Sequence, residues 1–196
     1  VTLPFASWRW PMMRAAITIM RRLLGIKLTV HGPEQLLNSP SIFVANHSSY
    51  LDSIILIEIF EQPVSFVAKA ELRQQFFSRL FLKRIQAVFV ERFNQEQGIE
   101  DAAQIIKQAQ TGQSFLFYPE GTCQRMPGLL PFHMGAFATA AQADLAVVPI
   151  TLRGTRTILR PDTWFPSRGS VSVHIGEPIM SNKSEGEYWI QFITDG

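Results

Sequence analysis

In the stretch Asn46-His47-Ser48-Ser49-Tyr50-Leu51-Asp52, a histidine leaves the end of an apolar run and an aspartate follows five residues on. A neutral imidazole held by a carboxylate on one nitrogen can take a proton with the other, which is the work of a general base. A helix advances about 100° per residue, so side chains five apart diverge by about 140° and cannot share one helical face. His47 and Asp52 can still meet if His47 stands on a loop and Asp52 lies in the first turn of the next helix. Ser49, followed three residues later by Asp52 and then by the apolar run 54–57, has the form of a capping box and supplies that arrangement. The same spacing also suits a capping carboxylate beside a turn histidine, and it leaves both readings open.

Two further segments carry polar chemistry at the end of an apolar run. Phe117-Tyr118-Pro119-Glu120-Gly121-Thr122 ends such a run in a turn whose backbone N–H groups and one carboxylate suit hydroxyl or phosphate oxygens. Val88-Phe89-Val90-Glu91-Arg92 places a guanidinium where it can fork onto a phosphate. Alone, the first is an ordinary Pro-Gly turn and the second a surface arginine. Metal ligation is not indicated, because His31, His133 and His174 lie in unrelated segments and Cys123 is the single cysteine.

Taken in order, His-x4-Asp, apolar-acid-Arg, Pro-Glu-Gly-Thr and Val-Pro-Ile resemble the motif blocks of the glycerolipid acyltransferases, the 1-acylglycerol-3-phosphate acyltransferases and their relatives, from about Gly32 to Pro178. The resemblance implies that His47 is the general base and Asp52 its orienting partner. It further implies that Arg92, with Lys69 upstream, holds the acceptor's phosphate, that Glu120, Gly121 and Thr122 bind the acceptor, and that Pro149 turns the chain near the acyl donor. The implied reaction moves a fatty acyl group from acyl-CoA or an acyl-carrier protein to a lysophospholipid hydroxyl, with backbone amides near Ser48 or Gly121 as candidates for the oxyanion. No metal or redox cofactor follows from it. Where the family usually continues with arginine and serine, Cys123 and Gln124 stand here, with Arg125 two positions late; His133 replaces a lysine and Gln86 a glycine. The acceptor is accordingly expected to be lysophosphatidate or a lysophosphodiester, and fewer cations favour the singly charged phosphodiester. A membrane lipid-binding module with weakened catalysis is the alternative, and a lipid hydrolase the third reading.

The elements that must position these groups read as strands over 26–32, 41–47, 64–70, 87–92, 114–121, 145–154 and 170–179. Helical patterns cover 8–25, 50–60, 71–85, 97–112 and 135–143. Strands alternating with helices predict an α/β fold with a mixed, largely parallel sheet. Ligands of open α/β sheets sit beyond the carboxyl ends of the strands, and residues 46–47, 91–92 and 119–121 all fall there. The reading divides the chain into an amphipathic segment, 1–30, and an acyltransferase domain, 31–196.

Composition bounds the rest. With 46% hydrophobic and 17% charged residues the chain is not disordered, and a net charge of +2 does not point to nucleic acid. No run reaches the roughly 18 apolar residues of a spanning helix. Trp8, Trp10, Met12, Met13, Ile17 and Met20, set against Arg14, Arg21 and Arg22, predict a helix in a membrane interface with its arginines toward anionic head groups. The expected location is peripheral or monotopic, on the cytoplasmic face of a membrane. Starting at Val1 and ending within an apolar pattern, the chain reads as part of a longer protein, which leaves room for fused domains.

Overall fold

The centre of the molecule is β2 (Ser41–Ala45), whose five residues are all buried. A strand covered on both faces has no solvated side, which is why Ser-Ile-Phe-Val-Ala reads as a continuous run rather than an alternation. In the computed structural model, which describes residues 5–36, 39–74, 76–85, 87–91, 94–122, 130–160, 163 and 165–180, β2 lies between β5 (Phe115–Phe117) and β6 (Ala146–Arg153), parallel to both. Beyond β5 follow β3 (Ser65–Lys69) and β4 (Val88–Val90), also parallel. On the other flank β7 (Gly169–Ile175) runs antiparallel to β6, and β1 (Ile26–His31) pairs with β7 in parallel. The sheet order is β1-β7-β6-β2-β5-β3-β4. Five strands therefore end on one rim, and the expected mixed, largely parallel sheet is what forms.

Helices close both faces. α1 (Phe5–Leu23) and α2 (Leu51–Ile59) cover one, burying Trp10, Ile17, Phe43, Ile55, Leu56 and Val148. α4 (Gln95–Gln110) and α5 (Gly135–Ala143) cover the other over Ile42, Val44, Ile105, Ala140 and Val147. Each fully buried Leu, Ile or Phe is worth about 1.5–3 kcal/mol. Asn94 caps α4 by accepting from the Gln97 amide at 3.2 Å. Gly25, at φ 70°, takes the left-handed conformation that turns the chain out of α1 into β1.

Three expectations are corrected here. The helix expected over 71–85 is broken into a 3₁₀ segment, Ala70–Gln74, and a shorter α3 (Phe76–Arg84). Pro149 does not turn the chain but lies inside β6. Its carbonyl accepts from Gly176 at 2.8 Å, and within a strand N–H and C=O point to the same side, so the missing N–H also faces the β7 flank. There the pairing jumps from Ile150↔Ile175 to Val147↔Ile179, a bulge that needs no donor from residue 149. The third correction concerns the arginines. Arg14 donates to the Glu58 carbonyl at 3.1 Å, and Arg21 grips the Glu58 carboxylate at 2.8 Å and the Ile26 carbonyl at 2.7 Å. A carboxylate buried on α2 demands a charged partner, and two of the three arginines expected to face head groups are drawn inward to Glu58. Arg22 remains exposed.

Candidate active site

At the end of β2 the chain leaves the sheet through Asn46, His47, Ser48 and Ser49 and enters α2 at Leu51. Asn46 prolongs the ladder with its side chain, donating to the Leu152 carbonyl at 3.0 Å and accepting from the Leu152 amide at 2.7 Å. The loop is thus fixed to β6 at its first residue. His47 Nδ1 lies 3.0 Å from Asp52 Oδ2 in the first turn of α2. The same oxygen accepts from the Ser48 amide at 2.7 Å and the Ser49 amide at 2.8 Å. One carboxylate oxygen therefore holds the imidazole and the two loop amides just before the helix, while the Leu51 amide at the helix start donates to Ser49 Oγ at 3.1 Å.

Asp52 is wholly buried, while the His47 side chain keeps 16% of its surface open. An ionised carboxylate only accepts, so Nδ1 carries the ring proton and Nε2 presents its lone pair away from α2. Tyr118, the last residue before the Pro119 turn, stacks on the imidazole with ring centroids 4.1 Å apart and planes 18° from parallel. Its hydroxyl meets Ser53 Oγ, on α2, at 3.0 Å. The histidine ring is therefore held on its edge by Asp52 and on its face by Tyr118.

Glu120, the carboxylate of the Pro-Glu-Gly-Thr turn, is bonded to backbone through both oxygens. Its carboxylate is 5% exposed, accepts from the His47 amide at 2.8 Å through Oε1, and accepts from the Leu130 amide at 3.1 Å through Oε2. Through these two bonds Glu120 ties the loop of residues 46–49 to the turn after β5. The amides expected to meet an oxyanion are likewise engaged: Ser48 N–H with Asp52, and Gly121 N–H with the Tyr118 carbonyl at 2.9 Å. Gly121 itself has φ 70°, and Thr122 is exposed beside it. Lys69 closes β3, half-buried, on the rim where β2 and β5 end. Arg92 lies outside the described residues, as do Gln86, Cys123, Gln124 and Arg125. Among the described residues no group of three or more His, Cys, Asp or Glu could hold a metal ion; His31 and His174 stack on each other at 4.3 Å, on the far strands β1 and β7.

On the β6 side, Ser48 Oγ and Thr155 Oγ1 are 3.3 Å apart, and Ser49 Oγ donates to the Leu159 carbonyl at 2.6 Å. Thr155 opens, and Leu159 follows, a short α6 (Thr155–Ile158) that sequence periodicity could not reveal. Gly154 makes the turn into it: at φ 91°, a Cβ there would stand 2.1 Å from the Ser170 carbonyl. Asn46, Tyr118 and Thr155 were not singled out from the sequence for these contacts. Asn46 and Tyr118 stand at strand ends, which is the only signal they carry.

The acyltransferase family model matches residues 27–153. The 1-acyl-sn-glycerol-3-phosphate acyltransferase of Saccharomyces cerevisiae is 30% identical over 176 residues, 88% of this chain and 58% of its own length. The protein of the same name from Borreliella burgdorferi is 29% identical over 184 residues, 93% of this chain and 73% of its own. A probable 1-acyl-sn-glycerol-3-phosphate acyltransferase of Mycoplasma pneumoniae is 32% identical over 147 residues, and the chain spans 54% of it. Among solved structures, the 1-acyl-sn-glycerophosphate acyltransferase PlsC of Thermotoga maritima superposes with a TM-score of 0.79 over the whole chain and 80% of its own, at 21% identity, and so shares the fold.

Proposed function

The chain belongs to the acyltransferase family, and from that premise we propose that it transfers a fatty acyl group from a CoA or carrier-protein thioester to the free hydroxyl of lysophosphatidate at a membrane surface. The observation that carries the reading is the 3.0 Å contact between His47 Nδ1 and the buried Asp52, which leaves Nε2 as the proton acceptor. As the acceptor hydroxyl attacks the thioester carbonyl, its proton passes to Nε2. The tetrahedral intermediate collapses with cleavage of the C–S bond, and the imidazolium returns the proton to the departing thiolate. Products are the new ester and the free thiol, and the step balances without a metal or a redox group. Asp52 fixes the tautomer and stabilises the imidazolium, as the acid of a serine-protease triad does, with the substrate's own oxygen as nucleophile.

The names of the relatives from Saccharomyces, Borreliella and Mycoplasma support lysophosphatidate as acceptor. Lys69 at the rim, with Arg92 following β4 in sequence, is the matching cationic flank. For the membrane, α1 supplies an outward stripe: Trp8, Met12, Ile19 and Leu23 are 69%, 65%, 60% and 81% exposed, at spacings of four, seven and four residues along one helical face. No helix among the described residues is long and apolar enough to cross a membrane, so the stripe lies in the interface, on the cytoplasmic leaflet in this reading.

The test is an acyl-transfer assay with acyl-CoA and acyl-carrier protein against lysophosphatidate and lysophosphodiesters. Faster transfer to lysophosphatidate is expected. Preference for a phosphodiester would return the acceptor to the one favoured by Cys123. Release of free fatty acid without transfer would make the protein a hydrolase. Lipid binding with no turnover would make it a binding module.

A further inference from the structure

We propose that the cavity between the start of α1 and the end of α3 is a site for an anionic phospholipid that is neither acyl donor nor acceptor. The inference goes beyond acyl transfer and rests on the reading that the protein works at a membrane surface. The cavity holds about 280 Å³. Its apolar wall is built into the core, with Trp10 7%, Val64 4% and Ile85 2% exposed. Trp10 Nε1 donates to the Phe60 carbonyl at 2.9 Å, which fixes the indole and leaves its ring as wall. The cavity also lies away from the chemistry. Ser65, which lines it, opens β3, and Lys69 closes the same strand on the rim of His47, about 13 Å farther along.

Charge and shape select the occupant. Arg9 and Arg84 both line the cavity and both are exposed, and Arg9 donates to the Arg84 carbonyl at 3.3 Å, joining α1 to α3. That bond uses one of the five N–H groups of the Arg9 guanidinium. Among the described residues that line the cavity none is acidic, and the sequences of α1 and α3 contain no acid. Glu61, exposed two residues before Pro63, is the nearest acid along the chain on that side. Two cations at one cavity repel each other, and an anion that both can bond relieves the repulsion. A bare anion has no use for an apolar wall, whereas a lipid does. Met12 lines the cavity and belongs to the outward stripe of α1, so the cavity opens on the face that the stripe offers to a bilayer. On α3, Leu80 is 48% exposed and Lys83 is exposed, which continues that face. The volume stands at the lower limit of ligand pockets, roughly 300–1,000 Å³, and suits a phosphate head with the first methylenes of one chain. The remainder of the lipid stays in the bilayer. A phosphate between Arg9 and Arg84 joins α1 to α3 a second time and holds this end of the molecule at the lipid surface.

The experiment titrates the protein by calorimetry with dihexanoyl phosphatidylglycerol, dihexanoyl phosphatidylcholine and inorganic phosphate, the lipids kept below their micelle concentrations. Phosphatidylglycerol should bind at least about tenfold tighter than either of the others. The double variant Arg9→Gln, Arg84→Gln should lose about fivefold in that affinity per arginine removed, and the loss should shrink at high salt. Both residues are exposed, so the variant keeps its fold, checked by its thermal melt. Saturating phosphatidylglycerol should leave the KM for dissolved lysophosphatidate and for the acyl donor unchanged, since it sits off the catalytic rim. Equal affinity for phosphatidylcholine or for inorganic phosphate overturns the proposal. Undiminished phosphatidylglycerol binding in the double variant does the same, because the lipid then sits elsewhere. A changed acyl-chain preference in that variant also overturns it, by making the cavity the end of the substrate's path. Calorimetry needs no turnover, so its outcome stands whether or not acyl transfer is found.

Discussion

At the scale of single residues, one oxygen carries the site. Asp52 Oδ2 receives His47, Ser48 and Ser49 together, so replacing it must move activity and stability at once. His47→Ala should leave the melting temperature nearly unchanged and lower turnover at least about 100-fold, as expected of a lost general base. Asp52→Asn should lower turnover comparably and also destabilise by about 1–3 kcal/mol, because a neutral amide answers the buried Ser48 and Ser49 donors poorly. Turnover assays paired with thermal melts separate these; a destabilised but fully active Asp52→Asn would reduce the aspartate to a cap. Tyr118 acts on the imidazole through its ring face, so Tyr118→Phe should keep most of kcat while Tyr118→Leu loses about tenfold in kcat with an unchanged acceptor KM. An equal loss in both variants would place the effect in the hydroxyl bond to Ser53. His47 and Asp52 were legible because they are five residues apart. Asn46 and its Leu152 partner are 106 residues apart, and no local pattern announces such a bond.

At the scale of elements, period and punctuation were enough for the seven strands and for most helices, since each buries a face of the length its apolar run dictates. They failed where tertiary contact overrides the local signal. The pattern over 71–85 is rich in apolar and basic residues, yet the chain forms two shorter pieces there. The antiparallel turn of β7 depends on α6, too short to show a period. Glu58 stands inside the apolar run of α2, where only the fold reveals that Arg21 arrives to meet it. Their side chains keep 14% and 8% of their surface, so the pair is largely dry. Arg21→Ala should therefore destabilise by about 3 kcal/mol by stranding a buried carboxylate, whereas Arg22→Gln should cost nearly nothing. Urea denaturation measures both; equal small effects would mean that Glu58 finds water or Arg14 as a substitute.

At the scale of the whole molecule, the five parallel strands bring His47, Lys69, Glu91 and Glu120 to one rim, and α1 runs along the α2 face with its exposed side outward. The amphipathic helix was legible from its aromatic and arginine content, but its orientation was not, because composition cannot say which cations a buried glutamate will claim. With Arg14 and Arg21 turned inward, the proposed attraction of α1 for a bilayer would rest chiefly on apolar area. Burying a Leu or Met side chain contributes about 1.5–3 kcal/mol, or roughly ten- to a hundredfold in partitioning. Met12→Ser with Leu23→Ser should therefore weaken vesicle binding more than a hundredfold, on neutral vesicles as much as on anionic ones. Since both residues are exposed at 65% and 81%, the melting temperature should not fall. A lowered melting temperature with vesicle binding intact would show that the stripe packs against protein, and the interfacial role of α1 would have to be given up.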